Sequence, residues 1–538
     1  MAAAKELKQT LKANKYIHKV DNVLLGVEKN KGICRSAMQK PPRKRQRRTP
    51  QISRLIDFTS SLLSDEIVLH VFSYLSANDL AQCAMVSTGW SRLANDELLW
   101  RPLFLDRFRH RSRLNSCNVH PWKTKYKISH NWRSGNCQIV HSERKQPMPP
   151  CQPCIQSIDS ILCQSNSGSQ IEIWSLKKNR ILGYLQALSH QEVPVTCLKL
   201  IKTSQEDIYH LVAGYEHGGM AMWEIEIVKG GYNATEWVDY RPSARSADSV
   251  VSIAMAYPVV AICTAAMKIS LFNVNQNTER KRLGLIYQLQ SPVHWTPVEL
   301  DLKLQKPSAG CIKDRWRLLV CFGMGIGTNA YSIGIQASAS HLDKNLTELL
   351  ACFLFKTNEI IVSLHTLISS RHCSALDQDT FFFTPNLTNT TQPPITAIAY
   401  DAPFLATAHA NNTIRHYRVD ITPDVFNLVF LQTLYGHTCM VTALTLDGPA
   451  RRLVSADRTG LRIWDLACTK GVPMDRSGQL IKWHQGVDYL VRLDLEHDED
   501  YPWQIDWLCS DATKIVALKR PLVPDAAMSL VVWSFGEN

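Results

Sequence analysis

The sequence predicts a mainly β protein with a small α domain near its start, and three observations carry that expectation. From about Gln138 onward the chain consists of short runs rich in Val, Ile, Leu and Cys, bounded by Gly, Asn, Asp and Pro, the texture of strands and turns. Within that region an alternating strand that ends in an aromatic residue recurs seven times. Between Asp57 and Trp100, by contrast, apolar residues recur at helical spacing. Length agrees, since 538 residues are too many for one compact core and split into two or more domains.

The chain begins with a basic tail, residues 1–55. Residues 1–56 hold 15 Lys and Arg against 3 acids, which is the whole net charge of +12; the remainder carries 45 of each sign and is neutral. The excess therefore marks a tail and not a nucleic-acid-binding face on a folded domain. Lacking apolar periodicity, the tail is predicted to be largely disordered. Pro41-Pro42 precede Arg43, Lys44, Arg45, Arg47 and Arg48, a cluster that reads as a nuclear-import signal held extended by its prolines. The blander reading is a solvated tail with weak affinity for phosphates. No aromatic residues that stack on bases interleave with the cations, so nucleic acid is expected to bind weakly at most, through the tail.

Sixteen cysteines lie without regular pairing and no apolar signal segment opens the chain, which fits free thiols in a reducing compartment. Cys151-x-x-Cys154 has no second pair at zinc-finger distance, so no metal or other cofactor is expected. The longest apolar run, Ile253 to Met267, is too short to span a bilayer. The expectation is a soluble protein of the nucleus, the cytoplasm or both.

Residues 57–104 form the small α domain. Leu63, Ile67, Val71 (with Phe72) and Leu75 recur every four residues and make one helical stripe, with Ser64 as the cap and Asp65 and Glu66 in the first turn. Asn78-Asp79 starts a second helix carrying Leu80, Cys83, Ala84 and Val86. Ser87-Thr88-Gly89 breaks it, and Trp90, Leu93, Leu98, Leu99 and Trp100 supply a third apolar patch. So short a segment cannot bury all of these side chains.

In order, the stretch reads Leu63-Ser64-Asp65-Glu66-Ile67, Val71-Phe72-Ser73-Tyr74-Leu75, Asp79-Leu80, Val86-Ser87-Thr88-Gly89-Trp90 and Leu99-Trp100. It resembles an F-box, whose first block is usually Leu-Pro-x-Glu-Ile; Ser64 stands in place of the Pro and starts the helix by capping. The resemblance implies three helices whose Leu63, Ile67, Val71, Leu75, Leu80 and Trp90 form the helical core or face a Skp adaptor.

Residues 105–136 are a linker. Leu103, Phe104, Leu105 and Phe108 give the preceding segment an apolar face that continues as a helix. Asn131-Trp132-Arg133-Ser134-Gly135 resembles the Asn-Trp-Arg-x-Gly that often joins an F-box to a propeller in F-box/WD-repeat proteins. A helical bridge is a spacer of fixed reach.

Residues 137–538 carry the repeats. The aromatics that end the alternating strands are Trp174, Trp223, Phe272, a degenerate Tyr331, Tyr417, Trp464 and Trp533, about fifty residues apart. They resemble the third strands of a seven-bladed WD-type β-propeller. The sixth unit is best formed: Val441 to Leu444 reads as its inner strand, Leu453 to Ala456 as the second, and Asp457-Arg458-Thr459 as the turn into Leu461 to Asp465. His437, Ser455, Asp457 and Trp464 match the buried hydrogen-bonded set of a WD repeat, with Gly460 as an extra residue. Residues 336–393 read as an enlarged fourth blade with a long loop.

No arrangement for catalysis is present: no phosphate-cradling loop, nucleophile elbow or paired histidines on a helix. Together the resemblances imply a non-catalytic substrate receptor of an SCF-type ubiquitin ligase, linked through the Skp adaptor to a cullin–RING ligase and holding a substrate protein on the propeller. Arg458 is the candidate substrate contact, and a phosphate-reading site is disfavoured because the matching turns carry Glu216, Asn411 and Ser167. The alternative is a nuclear WD-repeat scaffold acting without ubiquitin transfer.

Overall fold

The computed structural model describes residues 63–108, 121–143, 154–166, 168–242, 248–275, 282–291, 294–305, 315–325, 331–341, 352–357, 360–362, 393–421, 426–466, 491–494, 503–522 and 528–536. The basic tail with Arg43–Arg48, Cys151, Ser167 and most of the long loop expected within 336–393 lie outside them. Residues 63–538 belong to one compact unit.

The α domain opens with α1 (Asp65–Phe72), α2 (Ala77–Cys83), α3 (Thr88–Ala94) and α4 (Glu97–Arg107). Each begins after a Ser or Asp in the N-cap position. Ser76 accepts from Asp79 N, Ser87 from Trp90 N and Asp96 from Leu98 N, which satisfies amides that have no partner inside the helix. Ser64 differs. Its carbonyl takes the Ile67 and Val68 amides, but its hydroxyl caps nothing. The second helix starts at Ala77, ahead of Asn78-Asp79, and Thr88-Gly89, expected as a break, begin α3. Val68, Phe72, Leu80, Leu93, Leu99, Trp100, Phe104 and Phe108 make the core of this domain. The side of α1 that packs is thus Val68 and Phe72, one residue round from the Leu63–Ile67–Val71 stripe.

The strands form seven antiparallel sheets. Six are contiguous: β2 (Ile155–Ile158) to β5 (Arg180–Leu185), β6 (Val195–Lys202) to β9 (Gly231–Tyr240), β10 (Val250–Ala256) to β13 (Arg282–Gln290), β14 (Val298–Gln305) to β18 (Ile360–Val362), β19 (Ile395–Asp401) to β22 (Phe426–Leu434) and β23 (Ala443–Asp447) to β26 (Val491–Asp494). The seventh joins β27 (Trp503–Ser510), β28 (Lys514–Pro521) and β29 (Ser529–Ser534) to β1 (Gln138–Glu143), from the other end of the propeller segment. The first strand of each sheet touches that of the next, and β27 returns to β2, closing the ring. Closure through β1 leaves no open seam between first and last blades.

The aromatics of six repeat units lie on the third strands of their blades, and five of them are buried. The fourth unit is corrected. Tyr331 opens β16 (Tyr331–His341) instead of closing it, and the interior place four residues on is Ile335. Phe322 supplies the bulk there, with its ring where a Gly334 side chain would stand and stacked 4.4 Å from Trp295. That blade does carry an extra strand, β18 beside β17 (Cys352–Thr357). The inner strand of the sixth blade begins at Ala443, two residues later than expected.

One helix belongs to both cores. α5 (Trp122–Ser134) ends at Gly135, whose φ of 73° suits a residue without a side chain. Toward the α domain, Tyr126 packs edge-on to Trp100 and Phe108 and accepts from Arg107 at 2.7 Å. Toward the propeller, Trp132 is fully buried, stacked 3.9 Å from Phe535, with Nε1 donating to Ala512 O at 3.0 Å and the Arg452 guanidinium 3.5 Å from its ring centre. Asn131 donates to Phe535 O at 2.8 Å, and Arg133 lies 3.6 Å from Asp465. The three side chains of the Asn-Trp-Arg motif thus grip the propeller. Their partners sit in the β27–β28 turn, at the start of β24 (Arg452–Asp457), at the end of β25 (Gly460–Asp465) and just past β29, all at one end of the sheets. The β24–β25 turn with Arg458 is at the other end. The α domain is fixed to one face of the ring, and the opposite rim is left clear of it.

Candidate functional site

Two surfaces stand out, and the first is on the helices. Leu63, Ile67 and Val71 face outward, the last two 51% and 53% exposed. Tyr74, Met85, Val86 and Leu98 join them as exposed apolar side chains, Met85 at 80%. The remaining predicted adaptor residues lie elsewhere. Leu80 is fully buried in the domain core, and Leu75 and Trp90 are partly buried against it, Trp90 with its ring tilted 5.4 Å from Phe72. The correction has a simple cause: the domain has four short helices where three were expected, and each closes the core with one face, so Leu80 and Trp90 hold the domain together while the outer stripe of α1 has no described residue to pack on. Fully covering an aliphatic side chain gains about 1.5–3 kcal/mol, so this face is an unspent source of binding energy. Arg92 of α3 bonds Asp65 at 2.8 Å beside it, and the guanidinium holds that carboxyl below its usual range.

The second surface is the rim of the blade β23–β26, where the structure brings His437, Ser455, Asp457 and Trp464 together. Trp464 Nε1 donates to Ser455 Oγ at 2.7 Å, Ser455 Oγ lies 2.6 Å from His437 Nε2, and His437 Nδ1 lies 2.8 Å from Asp457 Oδ2. One proton arrangement satisfies these three contacts: His437 carries its proton on Nδ1 and donates a hydrogen bond to Asp457, while Nε2 accepts from the serine hydroxyl; Arg462 Nη1, 3.0 Å from the same Nδ1, then donates to Asp457 Oδ2 and not to the ring. Burial and the Arg462 charge push the His437 pKa down and favour that neutral ring, although the Asp457 hydrogen bond opposes them. Burial would raise the Asp457 pKa, but hydrogen bonds from His437 and Thr459 and the charge of Arg462 outweigh it, and the group stays ionised. Arg458 itself is exposed.

Sequence reasoning missed Arg462. It is 1% exposed and donates from Nη1 to Asp457 Oδ2 at 3.0 Å. Strand alternation offered a signal, since residues 462 and 464 share a face of β25 and Trp464 was already assigned inward. Tyr74 continues the exposed stripe by one helical step and was legible in the same way; Val86, expected on the second helix, instead follows α2, which ends at Cys83, and Met85 beside it carried no periodic signal. Other blades fill the same place differently. His409 lies 3.0 Å from Thr407 Oγ1, and His190 stacks 4.1 Å from Tyr215 with Nδ1 3.0 Å from His217 Nε2.

Among the described residues no group of three His, Cys, Asp or Glu could hold a metal ion, and no helix is long and apolar enough to cross a membrane. The described cysteines are free, several with pKa values raised by burial, Cys163 to about 12.

Comparison with known proteins bears on both surfaces. An F-box-like family model matches residues 65–106, the span of α1 to α4. Over 42 residues the chain is 45% identical to F-box/LRR-repeat protein 5 of Xenopus tropicalis, covering 8% of this chain and 6% of that protein. It is 25% identical over 164 residues to the probable E3 ubiquitin ligase complex SCF subunit sconB of Arthroderma otae, 23% of each chain, and 25% identical over 165 residues to that of Trichophyton verrucosum. The chain thus matches less than a quarter of the length of these sconB relatives. The β-propeller of the F-box protein pof12 gives a family model that matches residues 137–487, 351 of the 538 residues, and the chain belongs to that F-box protein β-propeller family.

Proposed function

We propose that this chain is the substrate-recognition subunit of an SCF-type ubiquitin ligase. The exposed face of Leu63, Ile67 and Val71 docks on the Skp adaptor, the adaptor joins a cullin–RING ligase, and the propeller presents a substrate protein. The chain contributes proximity and no chemistry: holding substrate and charged enzyme in one assembly raises their effective concentration. The carrying observation is that the segment matching an F-box leaves its outer apolar stripe exposed among the described residues. The grip of α5 on the propeller supports the reading, because a rigid connection fixes the distance from adaptor to substrate. The blade of β23–β26 supports a WD-type origin for the repeats through its His–Ser–Asp–Trp set. Nuclear import through Arg43–Arg48 belongs to the same proposal.

Replacing Leu63 and Ile67 together by Asp is expected to abolish co-purification of the Skp adaptor while the melting temperature stays within a few degrees of wild type. Retained adaptor binding removes the ligase reading and leaves the scaffold alternative.

A further inference from the structure

Summed over residues 57–538 the charge is zero, but it is not evenly spread. Residues 107–142 hold eight Lys and Arg and neither Asp nor Glu, so the remainder of 57–538 is negative by the same amount. Arg109, Arg111 and Arg113 belong to that run and lie outside the described residues. The other five cations are Arg107 at the end of α4 and Lys123, Lys125, Lys127 and Arg133 along α5, of which Arg133 faces Asp465.

Lys123, Lys127 and His130 follow one another at intervals of four and three residues and so share one side of α5. At 1.5 Å per residue they make a stripe about 10 Å long. Arg107 joins it from α4: its Nη1 donates to Tyr126 Oη at 2.7 Å, and the His130 ring stacks on that tyrosine with centroids 6.5 Å apart. Lys123 donates to Asn95 Oδ1, and its ammonium lies 5.5 Å from the centre of the Trp100 ring. An amide, a phenol and aromatic faces thus position these cations, and such groups orient a charge without cancelling it. Neither Lys123 nor Arg107 has a carboxylate partner among the described residues. Burial and the Lys127 charge lower the pKa of Lys123, burial and the Arg107 charge lower that of His130, and no acid opposes either shift. The nearby acids are engaged: Glu97 accepts from Trp122 N at 3.2 Å, Asp96 caps α4, and Asp106 has an interaction of its own. Even with Asp106 counted, the stripe stays positive.

We infer that the side of α5 with Lys123, Lys127 and His130, together with Arg107, docks a short acidic segment of a partner protein. The inference goes beyond the receptor reading and does not depend on it. Charge complementarity selects the partner, and the length of the stripe suits two turns of an acidic helix or a few residues of extended chain. The grip of Asn131 and Trp132 on the propeller holds the stripe in place, so little freedom is lost on binding. Nucleic acid fits less well. The Trp100, Phe108 and Tyr126 rings are buried and cannot stack on bases. Backbone affinity grows with the number of phosphates neutralised, and a polyanion longer than the stripe meets the negative remainder of the chain.

The test treats the full chain with an amine-acetylating reagent while poly-glutamate is titrated, and reads each lysine by mass spectrometry. Because every lysine is read separately, binding to the basic tail does not obscure the stripe. Lys123 and Lys127 are expected to be protected at about tenfold less poly-glutamate than Lys125, which lies on another side of α5 with Nζ 4.5 Å from the centre of the Trp122 ring. His130→Glu and Arg107→Glu should each raise the concentration needed by about tenfold or more, and added salt should weaken protection throughout. Arg101→Glu, beside Trp122, should leave it unchanged although it alters more charge than His130→Glu. Circular dichroism checks that each variant is folded; His130 is exposed, so His130→Glu stands by itself if Arg107→Glu is not folded. The inference is overturned if Lys123 and Lys127 are protected no earlier than Lys125, if Arg101→Glu weakens protection as much as His130→Glu, or if a DNA duplex protects the pair at a lower concentration of charge. Protection by the purified Skp adaptor alone also overturns it, because the stripe would then belong to the adaptor's own docking face.

Discussion

The outer stripe of α1 and the interior of the blade β23–β26 break the usual burial rule in opposite directions. On α1 and just before it, Leu63, Ile67 and Val71 are apolar and face water; in the blade, His437, Asp457 and Arg462 are polar or charged and are buried. The first arrangement leaves binding energy unused and needs a partner to recover it. The second is satisfied within the chain, since each buried charge has an opposite charge and hydrogen bonds within 3.0 Å. An exposed apolar residue is therefore a pointer outward, whereas a buried ion pair is a pointer to a fixed shape.

The contrast can be broken hardest at Asp457. Asp457→Ala strands the Arg462 guanidinium without its carboxylate, and breaking a buried pair in this way costs about 3–5 kcal/mol. Urea unfolding should show that loss, and Asp457→Ala combined with Arg462→Met should recover part of it; equal losses in the single and double variants would mean that the pair is not coupled. On the helices, Leu80→Ala should cost about 2–5 kcal/mol because it opens a cavity in the core, while Ile67→Ala should stay within about 0.5 kcal/mol. Similar costs for both would show that the α1 stripe is packed in solution.

Acid separates the two regions more gently. Burial pushes His409 and His416 down to about 4, against an ordinary value near 6.5, and lowers His437 as well. Below about pH 6.5 the unfolded chain takes up protons at these rings and the folded chain does not, so their stabilisation is complete above that pH and declines toward pH 4. At pH 5 each of the two deepest should have lost about 2 kcal/mol. Asp457 adds to the loss only below the ordinary carboxylate range. The core of the helical domain contains no histidine among its described residues. Hydrogen-exchange protection factors, with the intrinsic slowing of exchange at lower pH divided out, should therefore fall between pH 7 and 5 in the blades β19–β22 and β23–β26 more than in α1 to α4, and a uniform fall would contradict this placement of the protons.

The legibility of the fold followed the strength of its local signals. Helical spacing located the α domain, and aromatics on third strands located six of seven blades. The fourth failed because its bulk moved to the second strand: with Phe322 filling the space over Gly334, β16 needs no aromatic of its own. For the candidate sites, the motif brought out His437, Ser455, Asp457 and Trp464 together, but the same kind of matching put Leu80 with Ile67. Positions in a motif are silent about which way a residue points.

By itself, the sequence determined where helices give way to strands, how many repeats follow, that the charge excess sits in the first 56 residues, and that the short helical segment holds more apolar surface than it can bury. These depend on periodicity, composition and area, which are local or additive. Tertiary structure alone decided that Val68 and Leu80 turn inward while Ile67 stays out, that β1 closes the ring with β29, that Trp132 is the bolt between helices and propeller, and that Arg462 underlies the rim. Each of these depends on residues up to some four hundred positions apart meeting in space, and no local pattern encodes which of several chemically suitable partners a side chain will reach.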